Sequence, residues 1–223
     1  RQRQMCIRDS PNGVSRPENV EADLLTKKFG LHKDDYICAL SRLTEEKGIQ
    51  YLIEAYQNVK TDKKLVIAGD TSDTDDYVMK LKKLAGNNPN IIFTGFVSGR
   101  TLEELYSNAY VYVLPSKLEG MPLSLLEAMS YGNCVIGSDI AEIADVVEDK
   151  AILFKKANVE DLKEKLQMVC DDVELVEKYK REASGYICGR YNWEDVVNRT
   201  VEVYRGKKSC KEKLVENSSV ASI

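Results

Sequence analysis

The feature that most constrains the fold is a regular alternation, from residue 36 onward, of short apolar runs with amphipathic segments. Runs that are nearly apolar throughout are typical of strands covered on both faces. Their alternation with amphipathic helices indicates strand-helix units around a parallel sheet. The predicted strands are 36–40, 64–69, 90–95, 109–115, 133–138 and 151–154. We therefore predict an α/β fold with a Rossmann-like, doubly wound parallel sheet.

Helices are predicted between the strands and at the end of the chain. After the first strand, Ile49, Leu52, Ile53 and Tyr56 are spaced as one apolar helical face. The other predicted helices are about 77–86, 101–109, one that begins within the motif EGMPLSLLEAM at 119–129, and then 158–170, 173–188 and 193–205. Ligands of doubly wound sheets bind beyond the carboxyl ends of the strands, so the loops that follow the strands are the expected place for chemistry.

Composition narrows the classes of function. A formal net charge of -4 disfavours a nucleic-acid partner. The cysteines lie too far apart for zinc clusters and are predicted to be reduced thiols; they are Cys6, Cys38, Cys134, Cys170, Cys188 and Cys210. The longest apolar runs fall well short of the roughly 20 residues of a membrane helix, and no signal peptide opens the chain. These observations predict a soluble, cytoplasmic protein.

The loop after the first strand, SRLTEEKG, places Arg42 and Lys47 five residues apart at the carboxyl edge of the sheet. A guanidinium and an ammonium that converge there could neutralise a diphosphate, including the charge that develops on a leaving phosphate. Taken alone, the loop is better explained by solvated surface cations paired with Glu45 or Glu46. The loop by itself therefore does not establish a phosphate site.

The motif EGMPLSLLEAM follows the fourth strand and carries two glutamates eight positions apart. Pro122 suits the first turn of a helix whose free N–H groups point at an anion, and Gly120 allows a ligand close to the backbone. Glu119 would then lie at the mouth of the crevice, while Glu127 could accept two hydrogen bonds from a vicinal diol such as a ribose. The alternative for Glu127 is an exposed helix residue, although its flanking leucines and methionine indicate a buried segment that needs a partner.

These motifs together resemble the C-terminal, nucleotide-sugar-binding domain of glycosyltransferase family 4 (glycosyl transferases group 1), one half of a GT-B enzyme. The resemblance covers about residues 11–205. The matching motifs are Arg42-Leu43 with Lys47-Gly48, Gly69-Asp70 after the second strand, FTGFV after the third, the Glu-seven-residues-Glu motif, and PNGV at 11–14, where the family's chain enters this domain.

The resemblance implies a role for each matching residue. Arg42 and Lys47 bind the donor diphosphate and stabilise the departing nucleotide, Glu119 contacts the donor sugar, and Glu127 binds the ribose. Backbone near Gly95 to Val97 meets the base. The implied catalytic residues are Glu119, Arg42 and Lys47, and the implied donor-binding residues are Arg42, Lys47, Gly95, Phe96, Val97, Glu119, Gly120, Met121, Pro122, Leu123, Ser124 and Glu127. Pro122 stands where the commoner family form has a glycine, so one backbone N–H is unavailable at that position.

The implied reaction transfers a hexosyl unit, with retention at the anomeric carbon, from a UDP-, GDP- or ADP-sugar to a glycan or lipid-linked acceptor, as in polysaccharide biosynthesis. No metal or other cofactor is expected. The sequence DTD at 73–75 could suggest the Asp-any-Asp metal motif of the other large glycosyltransferase fold. Its position between a strand and a helix favours a cap and turn instead.

The predicted domains follow from the same resemblance. Residues 1–33 are an N-terminal fragment and interdomain linker, 34–190 the Rossmann-like donor-binding domain, 191–205 a crossover helix, and 206–223 a disordered tail. The acceptor domain is missing, so the isolated chain is expected to be inactive, and two aromatic residues of the crossover helix, Trp193 and Tyr204, are expected to be partly uncovered.

Three points stay open on the sequence. A Rossmann-like binding or scaffold module without turnover and a nucleotide-sugar epimerase of GT-B architecture are the alternative functions. His32 is expected to be a loop residue rather than a catalytic base. The lysine-rich stretch RGKKSCKEK at 205–213 could contact anionic lipid at the inner face of the membrane, but it is short and interrupted by Glu212, which favours a solvated tail.

Overall fold

The computed structural model describes residues 12–70 and 75–205. Its centre is a sheet of six parallel strands in the order β3-β2-β1-β4-β5-β6. The strands are β1 (Tyr36–Leu40), β2 (Lys64–Ala68), β3 (Ile91–Gly95), β4 (Val111–Leu114), β5 (Cys134–Ser138) and β6 (Ile152–Phe154). The order reverses between β1 and β4, which confirms the predicted Rossmann-like, doubly wound parallel sheet.

Helices cover both faces of the sheet. They are α1 (Leu24–Phe29), α2 (Ile49–Tyr56), α3 (Asp75–Ala85), α4 (Gly99–Ser107), α5 (Leu123–Ser130), α6 (Ala141–Val147), α7 (Val159–Asp171), α8 (Val173–Arg190) and α9 (Trp193–Tyr204). Adjacent strand residues point to opposite faces, so Ile37 belongs to the core beneath α2, α3 and α7, and Cys38 to the core beneath α1, α4, α5 and α6. Burial on both faces explains why the strands read as unbroken apolar runs.

Two short helices differ from the sequence predictions. Helix α1 lies in the part of the chain that showed no strand-helix rhythm, and α6 lies between β5 and β6, where no element was predicted. Both are shorter than three turns, so neither shows a recognisable helical period. Helix α1 is held by a tertiary contact: the backbone N–H groups of Asp23 and Leu25 both donate to Glu104 Oε2, each at 3.0 Å.

The start of the described chain lies beside α9. Val14 forms an isolated parallel bridge with Asn192, and its N–H donates to Tyr191 O at 2.7 Å. Trp193 is 48% exposed and Tyr204 is 87% exposed, as predicted for this helix. Within the described residues, no helix combines the length and the apolar composition needed to span a bilayer.

The remaining sequence predictions concern His32, the cysteines and segments that the structure does not describe. His32 lies exposed in a polar turn, as expected, with its N–H donating to Asp35 Oδ2. The four cysteines of the described part have free thiols, and Cys38 and Cys134 are buried. Residues 1–11, the first two residues of DTD at 73–74, and the tail at 206–223 lie outside the described residues.

Candidate functional site

A pocket of about 660 Å³ opens at the carboxyl edge of the sheet. It lies where the loops after β1, β2 and β3 meet the loop that leads into α5, which is where ligands of doubly wound sheets bind. Its lining residues are Leu40, Ser41, Arg42, Lys47, Gly69, Asp70, Phe96, Val97, Ser98, Leu102, Glu119, Met121, Leu123 and Ser124. Two cations, Arg42 and Lys47, two carboxylates, Asp70 and Glu119, and apolar side chains thus share one pocket.

The backbone brings Lys47 to this pocket through a close contact between two loops. Lys47 ends a short 3-10 helix (Glu45–Lys47), and Gly48 follows with φ +68°. A Cβ at position 48 would lie 2.0 Å from Pro115 O, so only glycine fits there. The Lys117 N–H donates to Glu46 O at 2.7 Å across the same junction. The loop after β1 is therefore fixed directly against the loop after β4.

Lys47 and Glu119 form a largely buried ion pair. The distance from Lys47 Nζ to Glu119 Oε1 is 2.8 Å, and the side chains are 15% and 8% exposed. Ser116 Oγ donates to the same carboxylate oxygen at 2.6 Å, and the Ser116 carbonyl accepts from Ser138 Oγ at 2.5 Å. The alternative pairing of Lys47 with Glu45 or Glu46 is wrong, since Glu45 pairs with Lys80 instead.

Arg42 lines the pocket from the loop after β1. Its side chain is exposed and makes no ion pair with any residue from 12–70 or 75–205. Its backbone neighbours are fixed, because the Leu43 N–H donates to Asp70 O at 3.0 Å and the Ser41 N–H donates to Ala68 O at 3.1 Å. Arg42 is thus a guanidinium on an ordered loop, available to an anion in the pocket.

The start of α5 adds a backbone donor and an apolar wall. Pro122 takes the N-cap position, one residue before the predicted first turn. The Ser124 N–H, in the first turn, has no acceptor within the described part of the chain, and Ser124 lines the pocket. Phe96 and Val97 line the same pocket, and Phe96 is 74% exposed while Val97 is buried. The pocket therefore offers a backbone donor for an anion and apolar surface for a flat group.

Glu127 lies in a neighbouring cavity rather than in the pocket itself. This cavity has a volume of about 490 Å³, and Leu102 lines both spaces. The hydroxyl of Tyr106 donates to Glu127 Oε2 at 3.0 Å. The interpretation of Glu127 as an exposed helix residue is therefore wrong, since its side chain is partly buried. Burial raises the pKa of Tyr106 well above its usual value, so the hydroxyl stays protonated and remains a donor.

The structure brings most of the predicted site residues together. Those that line the pocket are Arg42, Lys47, Phe96, Val97, Glu119, Met121, Leu123 and Ser124. Gly95, Gly120 and Pro122 flank the pocket without lining it, and Glu127 lines the adjacent cavity. The roles implied for these residues stay predictions, since the structure shows only where they lie.

Sequence reasoning missed two residues that hold the glutamates, Ser116 and Tyr106. Ser116 directly follows Pro115 at the end of β4, and this position at the sheet edge was a usable signal. Tyr106 lies on the buried face of α4, where a tyrosine reads as core, and no signal indicated a need for its hydroxyl. Across the described residues, no group of three His, Cys, Asp or Glu side chains is placed to hold a metal ion. The absence of a metal requirement stays a prediction.

The chain is similar in sequence to proteins that are named as glycosyltransferases. An uncharacterized glycosyltransferase of Methanocaldococcus jannaschii (MJ1607) is 32% identical over 184 residues, which are 80% of this chain and 47% of the relative. The alpha-D-kanosaminyltransferase of Streptomyces kanamyceticus is 25% identical over 186 residues, 81% of this chain and 48% of the relative. The chain thus spans about half the length of these curated relatives.

Among solved structures, Anabaena Alr3699/HepE in complex with UDP and glucose matches 82% of this chain and 51% of its own, with a TM-score of 0.75 and 19% identity. Sucrose-phosphate synthase from Thermosynechococcus elongatus matches 88% of this chain and 51% of its own, with a TM-score of 0.76 and 22% identity. At these identities the likeness shows a shared fold. The family described as Glycosyl transferases group 1 matches residues 22–186, and the chain belongs to this family.

Proposed function

We propose that this chain is the nucleotide-sugar-binding, C-terminal half of a retaining family 4 glycosyltransferase with GT-B architecture. The observation that carries the proposal is the buried pair of Lys47 and Glu119, with Arg42 beside it, in a pocket at the carboxyl edge of the sheet. A family relative, the kanosaminyltransferase, is named for glycosyl transfer, and the structural neighbour HepE is described in complex with UDP-glucose.

The proposed donor follows the chemistry of the pocket. Arg42 and Lys47 bind the diphosphate and neutralise the charge that develops as the nucleotide leaves. The Ser124 N–H at the start of α5 adds a backbone contact to phosphate or sugar. Glu119, with its second oxygen free of protein partners in the described chain, contacts hydroxyl groups of the sugar.

The nucleoside part of the proposed donor extends along the apolar surface of the pocket. The base lies against the segment of Phe96 and Val97, and Glu127 receives the ribose diol beyond Leu102. A UDP-, GDP- or ADP-hexose meets these requirements. The acceptor, a glycan or a lipid-linked glycan, binds to the other half of the whole protein, and no metal takes part. We also propose that the whole protein acts in the cytoplasm, with peripheral contact to the inner face of a membrane where the acceptor is lipid-linked.

The test is nucleotide binding by the chain. UDP, GDP and ADP are compared by thermal unfolding and calorimetry, and a ligand at a hundred times its dissociation constant should stabilise the chain by about 2.7 kcal/mol. Lys47→Ala should abolish most of this gain, whereas Lys80→Ala, which removes an exposed lysine outside the pocket, should keep it. If none of the three nucleotides raises the unfolding temperature, the donor-binding proposal is wrong.

A further inference from the structure

We infer that Tyr106 is a positioning residue that holds Glu127 in the orientation required for the ribose of the nucleotide sugar. The inference rests on the proposed function and adds to it a residue outside the recognised motifs. The observation behind it is the 3.0 Å hydrogen bond from the Tyr106 hydroxyl to Glu127 Oε2, between α4 and α5.

Tyr106 is itself fixed by contacts on its ring and its backbone. The residue is 1% exposed. Its ring stacks on Tyr131 with centroids 5.4 Å apart and lies 5.9 Å from the ring of Tyr112. Asn133 Nδ2 donates to Tyr106 O at 2.9 Å. The hydroxyl can therefore reach only a small region of space, and Glu127 lies in it.

The same asparagine connects Tyr106 to the helix that carries Glu127. Asn133 Nδ2 also donates to Ala128 O at 2.9 Å, so one amide group bonds α4 and α5 at positions adjacent to the two interacting side chains. The relative placement of hydroxyl and carboxylate is thus set by the fold and not by the two side chains alone.

Glu127 depends on this donor for its orientation. Within the described residues, the Tyr106 hydroxyl is the sole hydrogen-bond donor to its carboxylate, and Oε1 has no protein partner. A carboxylate with one oxygen held and the other open presents its free lone pairs in one direction, as a vicinal diol requires. Without the hydroxyl, Glu127 would sample several rotamers and would lose part of its affinity for the diol.

Replacing the hydroxyl should spare the fold. Glu127 is only partly buried and lines an open cavity, so water can replace the lost hydrogen bond. In Tyr106→Phe the ring contacts with Tyr131 and Tyr112 remain. A matched control is Tyr110→Phe, which also removes a buried hydroxyl, one that donates to Val169 O at 2.6 Å away from the site.

The experiment measures ribose preference in the whole protein. The affinities of a nucleoside diphosphate and of its 2′-deoxy and 3′-deoxy forms are compared by calorimetry, and the donor KM and kcat are measured in parallel. Tyr106→Phe should lower the preference for the ribonucleotide by about 10-fold, the size of one hydrogen bond to a charged group, and should raise KM with little change in kcat. Tyr110→Phe should retain the preference of the unmodified protein.

Two further variants, Glu127→Ala and the double variant Tyr106→Phe/Glu127→Ala, distinguish failure of the positioning role from failure of the proposed function. If Glu127→Ala loses the ribose preference and Tyr106→Phe keeps it, the positioning role is overturned while the proposed function stands. If Glu127→Ala also keeps it, the ribose role proposed for Glu127 is wrong. If Tyr106 acts through Glu127, Tyr106→Phe has no further effect on the preference in the Glu127→Ala background, whereas an additive loss would overturn the inference.

A second variant covers the case in which Tyr106→Phe fails to fold. Incorporation of 4-fluorophenylalanine at position 106 fills part of the space of the hydroxyl but carries no hydrogen-bond donor. The ribose preference should fall as expected for Tyr106→Phe, because Glu127 again lacks its donor. An unchanged ribose preference would contradict the inference.

Discussion

Glu119 and Glu127 belong to one sequence motif, yet the protein holds them by different chemistry. Glu119 lies in a loop and is bound by a cation, Lys47, and by the Ser116 hydroxyl, both on Oε1. Glu127 lies on α5 and is bound by a neutral phenol, that of Tyr106, on Oε2. In both, the second oxygen has no partner among the described residues.

The difference indicates how each glutamate responds to a ligand. The ion pair at Glu119 is electrostatic, so a diphosphate that attracts Lys47 competes directly with the carboxylate. The hydrogen bond at Glu127 carries no net charge on the donor, so it fixes direction without competing for an anion. Under the proposed function, we therefore expect Glu119 to respond to the charge of the donor and Glu127 to its shape.

The largest expected effect tests the ion pair between Lys47 and Glu119. Lys47→Ala in the whole protein should lower kcat by about 100-fold or more, the usual cost of removing one electrostatic group from a reaction centre. Steady-state kinetics with the preferred donor measures the loss. Lys80→Ala should leave kcat unchanged; an equal loss in both variants would show that the charge of the pocket is not involved.

Gly48→Ala should disturb the ion pair of Lys47 and Glu119 by displacing the backbone beside Lys47. The added Cβ meets Pro115 O at 2.0 Å in a residue with φ +68°, and we expect a loss of about 2–3 kcal/mol in the free energy of unfolding. Gly86→Ala is the matched control, because Gly86 has φ +60° and nothing within 4 Å of the added carbon. Urea unfolding should show the smaller loss of about 1 kcal/mol for Gly86→Ala. Equal losses would mean that the contact with Pro115 has no energetic weight.

Conservative substitutions of the two glutamates should differ in how much they lower the free energy of unfolding. Glu119→Gln leaves Lys47 largely buried without its counter-ion and should lower the free energy of unfolding by about 1–2 kcal/mol, less than for a fully buried pair because both side chains keep some exposure. Glu127→Gln keeps an oxygen for Tyr106 and should cost less than about 0.5 kcal/mol. Chemical denaturation of the chain measures both. A larger loss in the free energy of unfolding for Glu127→Gln than for Glu119→Gln would contradict this expectation.

The smallest expected effect is the pH response at Glu127. The pKa of Tyr106 is raised above its usual value by burial, so the stabilising hydrogen bond is fully present below about pH 10, the usual tyrosine pKa, and is lost only as pH rises through the higher folded value. The ribose preference should therefore be constant from about pH 7 to 9.5. Calorimetry across this range tests it, and a decline near neutrality would indicate that another group controls Glu127.

The sequence was sufficient for the sheet because each strand is buried on both faces and so leaves an unbroken apolar run. It was also sufficient to place Arg42, Lys47 and Glu119 at one edge, since carboxyl ends of parallel strands converge. It was not sufficient for α1 and α6, whose few residues carry no helical period. Short helices of this kind are fixed by tertiary contacts, as α1 is by Glu104.

The partners of the glutamates lay beyond sequence reasoning for a related reason. Tyr106 and Glu127 are 21 positions apart, and Lys47 and Glu119 are 72 positions apart. Which hydroxyl or ammonium reaches which carboxylate depends on how α4 packs beside α5 and on the close contact of Gly48 with Pro115. Neither is encoded in a local pattern of residue types.

The position of Leu102 has one more consequence. Because its side chain borders both spaces, we expect a nucleotide bound as proposed, from Lys47 to Glu127, to contact it. A smaller residue at 102 would join the two spaces into one trough for longer ligands. A larger one would separate the two spaces further and should favour compact anions such as pyrophosphate over whole nucleotides.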